Sequence, residues 1–418
     1  MTEQPAWFGQ PRGLTFLFLT NMWEQFSYYG MRALLVYYMT KQLLIGQAQS
    51  SFIYGTYTAC AYFTPIVGGV IADRYLGKRR AVIIGASIMA LGHFMMAFEA
   101  LFYFALAAIA LGNGLFLPSL PSQVGDLYKR DDPRRSWAFN VYYVGINIGG
   151  FLAPLICGTL GELYGWHYGF GAAGVGMVAG LLIYLAGQRY LPAEEPRETE
   201  APVEPRQGFD RQTILVLLGI GLSVTVFRAA YEQVGNTVAL WADSGVDRAA
   251  GAFQIPMTWF QSLNPLFVML LTPLLLTYWR RHSHRDTRGS LIRRMALGAL
   301  IVGLSYLLLA AVSALSGAAL TGWVWLALFF LILTFGELFI LPTGLGLFAR
   351  LAPPHLGATT VASWFLVIFT GSLSAGLVGT LWSRFEPASY FLLLPGIAGL
   401  AAVLLRAMSA FADPPQAN

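Results

Sequence analysis

Long, nearly uncharged apolar runs return along the whole length of this chain, and that recurrence constrains its fold more than any other feature. They lie at about 14–39, 50–72, 80–98, 100–120, 136–160, 168–189, 212–240, 253–279, 294–314, 320–348, 358–382 and 388–410. A helix needs about 20 mostly apolar residues to cross a bilayer, so each run is long enough to span one. Twelve transmembrane helices are predicted. A β-barrel is excluded, because its strands would be segments of about ten residues with alternating polarity. Of the 418 residues, 56% are hydrophobic and only 11% charged, against roughly 25% charged in a soluble protein. So few charges cannot cover a water-facing surface, which excludes a soluble enzyme, a disordered chain and a nucleic-acid-binding module. Cys60 and Cys157 lie inside apolar runs and read as packing residues, not as a disulfide or metal site. No cleavable signal peptide is expected, since the first run lacks a basic flank and carries Glu24 and Arg32.

The net charge of +5 is mostly a topology signal. Of the 26 lysines and arginines, all but Lys41, Arg248, Arg384, Arg32 and Arg228 fall on one side once the spans are threaded through a membrane. The positive-inside rule makes that side cytoplasmic, with both termini on it, as expected for a multi-pass protein of a bacterial inner membrane. The segment 191–210, LPAEEPRETEAPVEPRQGFD, is rich in Pro and Glu and reads as a flexible linker. It divides a six-span half, 1–190, from a second, 211–418. Thr64-Pro65 near the end of span two is echoed by Thr272-Pro273 near the end of span eight. Two six-helix halves with a site at the midplane between them resemble a major facilitator superfamily transporter.

A charge at bilayer depth costs at least ~2.5–3.5 kcal/mol and is a functional candidate by default. Five such charges remain once the loops are set aside: Glu24 and Arg32 in span one, Arg228 and Glu232 in span seven, and Glu337 in span ten. Asn21, Glu24, Tyr28 and Arg32 fall on one helical stripe, as do Arg228, Glu232 and Asn236. Such stripes should face a bundle interior or a wet cavity. Arg228 and Glu232 stand at i,i+4, so they either form a pair that only neutralises itself or present charge to a ligand. Glu337 has no base in its own span. The sequence around it, GELFILPTGLGL, holds Gly336, Pro342, Gly344 and Gly346. This reads either as a loosened, broken helix beside a transport site or as a packing kink. Asn147 and Asn264 add amides that serve a polar ligand or glue helices together. Tyr28, Tyr29, Tyr62 and Trp364 are candidate cavity walls.

No enzyme constellation is present in the sequence. There is no phosphate-cradling loop, so direct ATP drive is unsupported. His282 and His284 sit in a basic loop without further ligand spacing, and no metal site is expected. His93, His167 and His355 are scattered.

Residues 24–33, EQFSYYGMRA, resemble the first-helix signature of the proton-dependent oligopeptide transporter family of the major facilitator superfamily. So do GGVIADRYLGKRR at 68–80, GNGLFLPSLPSQVGDLY at 112–128 and DDPRRSWAFNVYYVGINIGG at 131–150. YEQVGNT at 231–237, QSLNPLF at 261–267, GELFILPTGLGL at 336–347 and SWFL at 363–366 continue the match. The resemblance implies proton-coupled uptake of di- and tripeptides by alternating access, with the proton as coupling ion, no other cofactor, and a monomer in the lipid bilayer. By position, it implies that Arg32 faces the substrate carboxylate and Glu337 its amino group. Asn147 and Asn264 would bond the peptide backbone, and Tyr28, Tyr29, Tyr62 and Trp364 would line the cavity. Glu24, Glu232 and Glu337 are the acids left for proton coupling.

The departures from the family pattern are specific. Where the family's first helix reads Glu-x-x-Glu-Arg, this chain has Asn21, Glu24 and Gln25. The lysine usual in the fourth helix is Leu117, and a usual tryptophan in the seventh is Arg228. The segment 191–210 is too short for the two extra helices that many bacterial members insert there. The pocket is therefore expected to be less basic than the family norm, with Arg228 joining Arg32 in recognition of an anionic group. Three rival readings remain: a divergent member moving another anionic or amphiphilic metabolite, a non-transporting membrane sensor, and a membrane-embedded enzyme for which no nucleophile or metal cluster is found.

Overall fold

Backbone at bilayer depth must satisfy its hydrogen bonds internally, and every predicted span does so as a helix. The computed structural model describes residues 6–7, 9–129, 132–193, 209–282, 287–317, 319–353 and 356–412. In chain order the long helices are α1 (Arg12–Tyr37), α2 (Gln47–Ile71), α3 (Lys78–Met95), α4 (Phe102–Asp126), α5 (Arg134–Tyr164) and α6 (Trp166–Gly187). Then come α7 (Arg211–Ser244), α8 (Leu263–His282), α9 (Arg288–Ser316), α10 (Trp323–Leu351), α11 (Gly357–Gly379) and α12 (Pro387–Ala412). Among the described residues, nine are long and apolar enough on their own to cross a membrane. The exceptions are α1 with its polar stripe, α2 with its Tyr, Thr and Gly content, and α3, which opens on Lys78, Arg79 and Arg80. Most of the expected linker, and with it His284, His355 and the side chain of His282, lies outside the described residues.

Two helices, α5 and α7, change winding within their length. α5 passes through a π-helical turn at Pro154–Gly158, where Pro154 has no N–H to give the regular ladder. α7 changes at Tyr231 into a 3-10 turn, Glu232–Gly235, and resumes at Thr237 after Asn236 leaves helical geometry at φ −116°, ψ −96°. The span expected to begin at 253 instead starts after a short antiparallel pair, Ala249–Ala250 with Phe253–Gln254, and a 3-10 turn at Met257–Ser262. At the start of α5, Asp132 accepts from both the backbone and the guanidinium of Arg134, which holds its carboxyl below the usual carboxylate range.

Two compact units are distinguishable, one of residues 1–44 and 60–198, the other of 45–59 and 199–418. In the first, α1 packs between α5 and α6, and α3 lies against α4 and α6. In the second, α9 packs on α10 and α12, α7 on α11 and α12, and α8 on α10. The opening stretch of α2 groups with the second unit through side-chain contacts: Gln47 Nε2 donates to Gly379 O at 3.0 Å and Ser51 Oγ to Asn236 Oδ1 at 2.8 Å. Cys157 is buried against Gly30, and neither cysteine is bonded to another.

Helices embedded in lipid approach closely where small residues permit it. On α5, a Cβ at Gly149 would lie 2.3 Å from the Met22 carbonyl oxygen of α1. Gly298 of α9 and Gly336 of α10 meet in the same way, each facing the other's carbonyl. Replacing Gly149 by Val should separate α1 from α5 and lower the thermal midpoint of the detergent-purified protein, at a cost of about 1–3 kcal/mol or more. Gly171→Ala on α6, where nothing lies within 4 Å, should leave the midpoint unchanged or raise it.

Candidate functional site

Of the polar stripe of α1, Asn21, Glu24 and Tyr28 are buried and Arg32 is half-buried. Glu24 is 1% exposed and accepts from its neighbour Gln25 Nε2 at 2.7 Å. Asn21 is spent on structure, donating to the Tyr142 carbonyl of α5 at 3.0 Å. Tyr28 and Tyr29 meet edge to face at 5.5 Å, and Tyr29, Arg32 and Tyr62 are half-buried. Asn147 turns back to its own helix, donating to Tyr143 O at 3.0 Å.

The second unit concentrates its charge. Arg228 and Glu232 are each 3% exposed and joined directly, guanidinium to carboxylate. A guanidinium this deep needs every available acceptor, and Arg228 also donates to Ser372 Oγ of α11 at 3.1 Å. The stem of Arg228 lies on Gly371, where a Cβ would come 2.7 Å from its own Cβ. Its charge stands 5.9 Å from the centre of the Tyr231 ring, within range of a cation–π attraction. That ring is stacked on Phe227 at 5.6 Å.

Glu337, on α10, belongs to the same cluster. It accepts from Asn264 Nδ2 of α8 at 2.6 Å, and it lies within electrostatic reach of Arg228 and Glu232. Asn264 also donates to Thr334 Oγ1 at 3.0 Å. The 3-10 turn of α7 begins at Glu232, an acid of this cluster. Where α7 stops being α-helical, the carbonyl of Ala230 is taken up by the Tyr306 hydroxyl of α9 at 2.8 Å, as a helix end requires. Glu232 and Tyr231 stand at that change of winding.

Arg228, Glu232, Asn264 and Glu337 are thus brought together, and Trp364 is buried. Its indole lies against Phe348 and across Gly344, whose missing side chain leaves the space it fills. Of the two readings of the tenth span, a broken helix and a packing feature, the structure favours the second. α10 runs unbroken as a helix through Pro342, and the interruption is in α7, at 232–236. Gly336 and Gly344 serve close packing against α9 and Trp364. The i,i+4 pair expected from the sequence does form, and it carries more partners than its own neutralisation needs. Tyr231, Ser372 and Thr334 are absent from the residues singled out by sequence. Tyr231 is legible in hindsight at i+3 from Arg228, whereas Ser372 and Thr334 carry no signal above the many hydroxyls of these helices.

The sequence pattern of the POT family matches residues 79–204 and 199–393. The chain belongs to that family. It is 33% identical to a peptide transporter of Yersinia enterocolitica, over 90% of this chain and 88% of the relative. It is 32% identical to a di-/tripeptide transporter of Lactococcus lactis, over 95% and 94%. A crystal structure of a mutant peptide transporter in complex with alafosfalin superposes with a TM-score of 0.89 at 30% identity, covering 98% of each chain. The protein is accordingly an all-helical, multi-pass membrane transporter of the major facilitator fold, and not an enzyme.

In this POT family member, Glu232→Gln should leave the Arg228 guanidinium buried without its counter-charge, a loss of about 3–5 kcal/mol. The double variant Arg228→Met plus Glu232→Met should recover most of that stability. Thermal unfolding of the two purified variants in the same detergent checks the difference.

Proposed function

We propose that the chain is a proton-coupled symporter of di- and tripeptides or peptide-like zwitterions, working by alternating access of the halves 1–190 and 211–418. One observation carries the reading. In the second unit, the cluster of buried Arg228 and Glu232 with half-buried Glu337 holds two carboxyls and one guanidinium. Its charge is completed by one more cation, and a proton and a peptide ammonium are the two cations this transport requires. A carboxyl desolvated in a low dielectric is strongly drawn to either.

In this reading Glu337 receives the amino end, and Arg32 with Arg228 receives the anionic end. Asn264 and Asn147 bond the peptide backbone. Tyr28, Tyr29, Tyr62 and Trp364 shape the pocket, and Glu24, Glu232 and Glu337 are the acids among which the coupling proton is held. Each carboxylate–guanidinium contact in a desolvated pocket is charge-assisted and strong. Support comes from the relatives named for peptide transport and from the alafosfalin complex of the similar structure.

Ligand-induced thermal stabilisation of the purified protein tests the assignment. Dialanine and trialanine should raise the unfolding midpoint, and free alanine should not. Arg228→Ala and Arg32→Ala should each weaken dialanine binding by tenfold or more, roughly the worth of one hydrogen bond to a charge. Stabilisation by none of the peptides would turn the reading towards another anionic metabolite.

A further inference from the structure

On α11, Thr360, Ser363, Thr370 and Ser374 donate their hydroxyls back to carbonyls of the preceding turn, the usual use of such a group inside a helix. Ser372 is different. It is 0% exposed, and its hydroxyl oxygen accepts from Arg228 Nη2 of α7 at 3.1 Å. The same nitrogen meets the Glu232 carboxylate. Gly371, beside Ser372, leaves the space that the arginine stem occupies. A Cβ there would come 2.7 Å from Cβ and 3.0 Å from Cδ of Arg228. The α11 backbone is itself held at this level. Gly55 of α2 approaches so closely that a Cβ on it would lie 2.3 Å from the Gly376 Cα and 2.9 Å from the Ser372 carbonyl oxygen. From α7, Gln233 Nε2 donates to the Ala375 carbonyl at 2.8 Å. One step of α11 therefore gives Arg228 room for its stem and an acceptor for its head.

We infer that Ser372 is a positioning residue for the anionic end of the ligand, fixing the plane of the Arg228 guanidinium from a second helix. The inference rests on the reading of Arg228 as a group for that end. Glu232 is a contact from the arginine's own helix, and about one contact a planar guanidinium can turn. The hydrogens of a guanidinium nitrogen lie in the plane of the group, so a second acceptor on the same nitrogen sets that plane. A carboxylate is received edge-on, within it. Without the Ser372 oxygen the plane turns, and a directional contact to the ligand's carboxylate weakens. A peptide whose carboxylate is replaced by an amide makes no such charge-assisted contact and has little to lose.

Ser372→Ala removes only the oxygen. The full-length protein is purified, and affinities for dialanine and for dialanine amide are measured in the parent, in Ser372→Ala and in Arg228→Ala. Unfolding midpoints without ligand are compared for Ser372→Ala made in the parent and in the Arg228→Met plus Glu232→Met background, where there is no guanidinium to hold. In Ser372→Ala, dialanine affinity should fall about fivefold, the worth of one hydrogen bond, with dialanine amide affinity unchanged. The midpoint should fall in the parent and stay in the double background. Equal losses for the two peptides, or equal midpoint shifts in the two backgrounds, overturn the inference. If Arg228→Ala weakens dialanine binding and Ser372→Ala does not, the inference alone falls. If Arg228→Ala leaves dialanine affinity intact, or the parent binds neither peptide, the reading of Arg228 falls and takes the recognition role of Ser372 with it.

Discussion

A formal charge in the hydrocarbon layer must be answered by another charge or by a full set of hydrogen bonds. The Arg228–Glu232 pair is where this chain meets that demand most severely, with both side chains 3% exposed. Much of the second unit is arranged around it. Ser372 supplies a further acceptor, and Gly371 makes room for the arginine stem. α7 gives up regular winding at the residue that carries the acid. Tyr306 donates to the Ala230 carbonyl just before it. A buried ion pair is weak evidence for stability, since its desolvation offsets most of its attraction. Its retention beside a third ionisable group points to function.

Glu337 gives the cluster its asymmetry. Its hydrogen bond comes from a neutral donor, the Asn264 amide, while the guanidinium is joined to Glu232. The packing of α10 keeps this carboxyl in place. Gly336 lets α9 approach one residue before it, and Gly344 admits the Trp364 indole two turns later. The glycines of GELFILPTGLGL thus bring neighbours in close, and the helix stays whole.

The twelve spans are legible in the sequence because apolar length is a strong signal and charge at depth is rare. The five deep charges stand out for the same reason, and the i,i+4 spacing of Arg228 and Glu232 already predicts that they can touch. What the sequence does not reveal is which helix answers which. Glu337 and Asn264 are 73 residues apart, and no local period connects them. Pro342 and its glycines mimic a broken helix, because one residue type serves both interruption and close packing. The real interruption, at 232–236, has only Gly235 as a local cue. Tyr231 is hidden for a different reason. Among the 20 tyrosines of the chain, an aromatic beside a charge is ordinary, and only the structure shows its ring 5.9 Å from the Arg228 guanidinium.

The central claim is that the unmatched carboxyl charge couples a proton to a peptide, and uptake by the reconstituted protein tests it most directly. Labelled dialanine uptake into proteoliposomes is followed with an inward proton gradient and with equal pH on both sides. The account predicts accumulation above the external concentration only with the gradient, and its collapse on adding a protonophore. Uptake that reaches the same level in both conditions would contradict it.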